Sequence, residues 1–111
     1  MENTAEYGIV LVTVASLQQG EAIARTVLNE KLAACVNIFP IDSWYRWEGK
    51  IESSKEYQLI IKSDLDSFDS LADKIKTLHD YEVPEIIAIP IVAGSKSYLN
   101  WKKYYSLELT I

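Results

Sequence analysis

Apolar and polar residues alternate most regularly just after Lys50. Ile51, Tyr57, Leu59 and Ile61 fall on one face of an extended chain, with Glu52, Ser54, Glu56, Gln58 and Lys62 on the other. A second extended segment starts upstream with Cys35-Val36-Asn37-Ile38-Phe39, and Trp47-Glu48-Gly49-Lys50 joins the two. A tight turn on Glu48-Gly49 is expected, because glycine accepts the positive φ that such turns need. Pro40 has no N–H to give to a ladder, which predicts a bulge or an exposed edge in the first arm. An arm of about fourteen residues spans about 45 Å, whereas a helix of similar residue count covers about 20 Å. The hairpin should therefore overhang the helices beside it, with Trp44, Tyr45, Trp47 and Ile51 near its tip.

Helical spacing flanks this ribbon. Ser16 with Gln19 fits a capping box opening a helix that runs to about Lys31 or Leu32, with Ile23, Val27 and Leu28 turned to the sheet. Phe68, Leu71, Ile75 and Leu78 define a second helix, capped by Asp64 or Asp66 and ended by Tyr81-Glu82-Val83-Pro84. The continuous run Ile9–Ala15 reads as a strand buried on both faces in mid-sheet. Glu85–Ile91 reads as another, with Pro90 marking an edge or an end. Past Gly94, Ser95 or Ser97 caps a short third helix carrying Tyr98, Leu99, Trp101 and Tyr105. The tail Leu107–Ile111 alternates as a final edge strand would, and residues 1–7 are expected to lack structure.

The order β-α-β-β-α-β with right-handed crossovers predicts an α+β, ferredoxin-like domain over residues 1–111. It has a long β2–β3 hairpin and a C-terminal helix. One sheet face is left without helices, and exposed aromatics on a long ribbon invite aggregation unless something covers them. The economical cover is more copies of the same chain, so an obligate homo-oligomer is expected.

Composition narrows the partners. A net charge of −5 argues against nucleic acid or an anionic membrane surface. The single cysteine, Cys35, excludes an intrachain disulfide and a multi-cysteine zinc site within one chain. Met1–Glu6 is acidic and polar, unlike a signal or transit peptide, and the apolar runs are too short to span a bilayer. A cytoplasmic protein is the expectation. No phosphate-binding glycine loop or nucleophile–base pair stands out, so no enzymatic activity is expected.

Leu32-Ala33-Ala34-Cys35-Val36-Asn37-Ile38, Tyr45-Arg46-Trp47-Glu48-Gly49-Lys50-Ile51, His79-Asp80-Tyr81-Glu82-Val83-Pro84-Glu85-Ile86 and Tyr98-Leu99-Asn100-Trp101 closely resemble the CutA divalent-cation tolerance family. The resemblance covers about residues 8 to 105. It implies a tight homotrimer, related to PII-type signalling trimers, in which the long hairpins pack across subunits. Trp44, Tyr45, Trp47, Ile51 and Trp101 would line the trimer interface. In some bacterial members copper is held by a cysteine on the first strand and two adjacent histidines. The matching positions here are Val12, Leu78 and His79, so only the second histidine survives.

His79 and Cys35 are therefore the candidate ligands for Cu(II) or another divalent metal. Each has a plain alternative: an imidazolium at a helix C-terminus for His79, and a small buried hydrophobe for Cys35. Trp47, Glu48, Glu56, Lys62, Tyr81 and Glu85 are of types that could line an intersubunit cleft for a small polar ligand, with buried ion pairs as the competing role. Arg46 and Lys50, near Glu48 and Glu52, suggest cross-strand or intersubunit ion pairs. Three functions follow: a metal-tolerance trimer, a PII-like small-molecule sensor or carrier, and a structural adaptor.

Overall fold

A computed structural model describes residues 7–107. β1 (Tyr7–Val14), α1 (Leu17–Asn29), β2 (Cys35–Trp47), β3 (Lys50–Asp64), α2 (Phe68–Leu78), β4 (Ile86–Pro90) and α3 (Lys96–Leu107) follow in order. The strands form one antiparallel sheet in the order β2-β3-β1-β4, the ferredoxin-like arrangement. Tyr7 is buried and already in β1, so it belongs to the fold and not to the unstructured start expected for 1–7. Leu107 closes α3, and the rest of the edge strand expected over 107–111 lies outside the described residues.

β1 is central because both of its faces are apolar. Val10, Val12 and Val14 pack with Leu59 and Ile61 of β3 beneath Ile23 and Val27 of α1 and Leu71 and Ile75 of α2. Burying such a side chain stabilises the fold by roughly 1.5–3 kcal/mol. Gly20 lets α1 approach closely, since a Cβ there would stand 3.3 Å from Leu59 Cδ1. Leu28 does not turn to the sheet as expected and is exposed. The buried stripe runs through Gly20, Ile23 and Val27, and Leu28 lies about 100° further round the helix.

Ser16 Oγ accepts from the Gln19 N–H at 3.1 Å, but the other half of the capping box is not made; the Gln19 side chain reaches the far end of α2. α1 stops at Asn29, short of the expected Lys31 or Leu32. Lys31 takes a left-handed φ of 62°, with Leu32 N–H donating to Val27 O and Lys31 N–H to Leu28 O, a Schellman end without its usual glycine. Neither Asp64 nor Asp66 caps α2: a 3-10 turn, Leu65–Ser67, intervenes and Ser67 precedes the helix.

The hairpin is paired without interruption from Cys35 opposite Lys62 to Trp47 opposite Lys50. Pro40 therefore causes no bulge; β2 is an edge strand, where a missing N–H is tolerated. Glu48 (φ 50°) and Gly49 (φ 78°) are both left-handed, as a two-residue type I′ turn requires. β1 pairs with β3 only from Tyr57 to Asp64. Everything from Glu56 toward the turn has its own hairpin partner and, among the described residues, no third strand, which stretches the molecule to 49 × 29 × 22 Å. The face away from α1 and α2 is not bare throughout, as had been expected. α3 packs against β3 and sets Tyr98 near Cys35, where burial first and the Cys35 charge second raise the Tyr98 hydroxyl pKa.

Candidate functional site

Where the hairpin leaves the body, an open cleft of about 1000 Å³ lies between the ribbon and the segment joining α2 to β4. The ribbon supplies Trp44, Tyr45, Trp47, Glu52 and Glu56, and the connecting segment supplies Tyr81, Glu82 and Glu85. Thr13, at the end of β1, forms part of its wall. Antiparallel register explains the grouping: Tyr45 stands opposite Glu52, two positions along from Ser43 opposite Ser54, so these side chains share one face.

The connecting segment is fixed by Gln19 reaching from α1 and by its own His79 reaching to β1. Gln19 Nε2 donates to Leu78 O at 3.1 Å, and Asp80 N–H donates to Gln19 Oε1 at 2.7 Å. The His79 ring bonds Thr13 O through Nε2 at 2.7 Å and accepts the Tyr81 N–H at Nδ1 at 3.0 Å. Its ring lies 4.8 Å from that of Tyr81, centroid to centroid. The Tyr81 hydroxyl donates to Glu56 Oε2 at 2.6 Å. Burial, then this bond to a carboxylate, push the Tyr81 hydroxyl pKa up to about 12.

Of the six residues read as cleft-lining, Trp47, Glu56, Tyr81 and Glu85 do meet there. Glu48 occupies the turn at the tip instead, and Lys62 lies toward the other end of β3, donating to Asn37 Oδ1. The ammonium group expected opposite the carboxylates is thus absent from the lining within one chain. β3 runs about 20 Å between Glu56 and Lys62. Glu52, Glu82 and the Thr13 wall were not foreseen; the alternation that puts Glu52 beside Glu56 was the one available signal.

The candidate metal pair is not brought together. Cys35 is level with Lys62 and Ile9, whereas His79 bonds at Thr13, four positions further along β1 and so about 13 Å away along the strand. Both His79 ring nitrogens are taken by the backbone. No cluster of three or more His, Cys, Asp or Glu side chains among the described residues could hold a metal ion.

The residues expected at an interface are exposed on this chain: Trp44, Tyr45, Trp47 and Ile51 along the ribbon, and Trp101 on α3, stacked with Tyr98 at 5.8 Å. Arg46 stands opposite Ile51 and Lys50 opposite Trp47; a cross-strand ion pair of the hairpin is Lys55–Asp42 at 2.9 Å. No helix among the described residues is long and apolar enough to cross a membrane.

Residues 8–104 match the family model described as CutA1 divalent ion tolerance protein. The divalent-cation tolerance protein CutA of Archaeoglobus fulgidus is 45% identical over 95 residues, 86% of this chain and 93% of that one. The chloroplastic protein CutA of Arabidopsis thaliana is 47% identical over 96 residues, 86% of this chain but 53% of that longer protein. A solved structure of the periplasmic divalent cation tolerance protein CutA from Archaeoglobus fulgidus superposes with a TM-score of 0.87 at 43% identity, covering 90% of this chain and 98% of that one. The CutA1 structure from Oryza sativa gives 0.87 at 45% identity, covering 92% and 94%.

Proposed function

The chain belongs to the CutA1 divalent ion tolerance family, and from that premise we propose that it acts in divalent-cation tolerance as a homotrimer. One observation carries the assembly: the ribbon extends past β1 with Trp44, Trp47 and Ile51 exposed, an apolar surface that a lone chain does not cover. The ion is a divalent cation with no particular preference for copper, because His79 and Cys35 stand apart and the His79 nitrogens are already bonded. A site for such an ion would have to draw donors from more than one copy. Native mass spectrometry of protein purified without chelators tests this. Three subunits with retained stoichiometric metal support the proposal, and a metal-free monomer at micromolar concentration overturns it.

A second reading, a PII-like carrier of a small molecule, is favoured by the cleft itself, where aromatic walls surround the Tyr81–Glu56 pair. A thermal-shift panel of metabolites should find a stabilising ligand whose effect disappears in Trp47→Ala and Glu56→Gln. A silent panel would remove this reading. We read the protein as non-catalytic, since the only cysteine and the only histidine are held apart. The adaptor reading has no observation of its own in the fold. One relative's structure is named as periplasmic and another relative as chloroplastic, so these names do not support the cytoplasmic expectation.

A further inference from the structure

We propose that His79 and Gln19 are positioning residues that hold Tyr81 against Glu56, and that His79 does this as a neutral Nε2–H imidazole instead of binding a metal. A backbone N–H can only donate, so the Tyr81 N–H at 3.0 Å requires a bare Nδ1. The proton of the neutral ring then sits on Nε2 and points at Thr13 O, 2.7 Å away. Neither nitrogen has a lone pair left for a cation. A metal at Nδ1 would displace the Tyr81 N–H, and one at Nε2 would leave the Thr13 carbonyl, on a residue only 8% exposed, without this donor.

Gln19 secures the residues on either side of His79. Its carboxamide takes the Leu78 carbonyl with the nitrogen and the Asp80 N–H with the oxygen, a pairing that only one amide orientation satisfies. Three bonds from two side chains thus anchor the backbone from Leu78 to Tyr81 onto α1 and β1, and a fourth, from the Tyr81 N–H to His79 Nδ1, fixes the segment internally. That backbone is the base from which the Tyr81 ring reaches its 2.6 Å bond with Glu56 on β3. The consequence is orientation: the carboxylate and phenol facing the cleft are aimed in advance, whatever the cleft accepts. The assignment stands apart from the function proposed above, because the contacts are within one chain and involve no ligand.

His79 is the only histidine, so long-range proton–nitrogen NMR of the full-length protein, labelled with nitrogen-15 in histidine, reads one ring. The expected spectrum at neutral pH has a protonated Nε2 and an unprotonated Nδ1, unchanged by one equivalent of Zn(II). An Nδ1–H ring, two tautomers in fast exchange, or a ring nitrogen shifted by zinc would each overturn the proposal. Variants test the positioning. In His79→Ala, amide exchange at Tyr81 should rise by up to about tenfold, the loss of one hydrogen bond. The Tyr81 Cζ resonance should move to where Glu56→Gln places it, while Val10 and Ile61 keep their protection. An unmoved Cζ resonance in a folded His79→Ala protein would refute it. Should that variant not fold, Gln19→Ala gives the same reading at Asp80 and Tyr81, with the same outcomes deciding.

Discussion

Leu59 and Ile51 lie on the same face of the same strand, yet Leu59 is 0% exposed and Ile51 is 74% exposed. The difference is coverage. Around Leu59, β3 is paired on both sides and roofed by α1 and α2; around Ile51 it has β2 alone. Alternation decides which face a side chain takes, but not whether anything meets that face. The body of the molecule is therefore a finished core, and the ribbon is the surface that the proposed trimer would cover.

The comparison can be broken most severely at its buried end. Ile61→Ala should cost about 2–5 kcal/mol in urea unfolding, because the surrounding body cannot close the cavity. Ile51→Ala should act on assembly and leave the amide protection of Val10 in the body little changed; a loss of that protection as large as in Ile61→Ala would mean that the ribbon and the body share one core. The boundary between the regions is sharpened by Tyr81. Its hydroxyl pKa is raised, so an unfolded chain releases that proton near pH 10 while the native chain keeps it to about 12. The associated stability is complete below pH 10 and lost as pH rises through 12. Denaturation of wild type and Tyr81→Phe at about pH 9 and about pH 11 should show the steeper decline in wild type. Equal declines would mean that in solution Tyr81 is neither buried nor bonded to Glu56 as described.

At the far end, Gly49→Ala places a Cβ on a residue with φ 78° and should cost about 1 kcal/mol, read as a lower urea midpoint. Smallest for the chain's own stability is the double change Trp44→Ser with Trp47→Ser, expected within about 0.5 kcal/mol for exposed positions. Its effect should appear in sedimentation velocity, as loss of the trimer. Retention of the wild-type sedimentation coefficient would show that the ribbon does not join the subunits.

The parts of this fold legible in the sequence were those set by local chemistry. Glu48-Gly49 announced its turn, the alternation through Leu59 and Ile61 announced the buried face, and the β-branched run after Gly8 announced a central strand. What stayed hidden depended on contacts between distant segments. Gln19 looked like the partner of Ser16, and only the arrival of Leu78 and Asp80 beside α1 showed its use. Lys62 looked like a cleft residue because its type was right, but its place along β3 put it out of reach. His79 carried a metal-ligand expectation by resemblance; Thr13 and the Tyr81 amide, which occupy its ring, are not recognisable as its partners in any motif.

The edge at β4 has a consequence for the order of events in time. Its ladder joins Gly8 to Pro90, so it must wait for nearly the whole described chain to come together, whereas the β2–β3 ribbon closes through two residues. Loop closure of that length is slow and late, and a five-residue edge strand is held by one neighbour only. β4 is then the first strand to detach when the fold loosens, and its amides should exchange with deuterium ahead of those of Leu59 and Ile61.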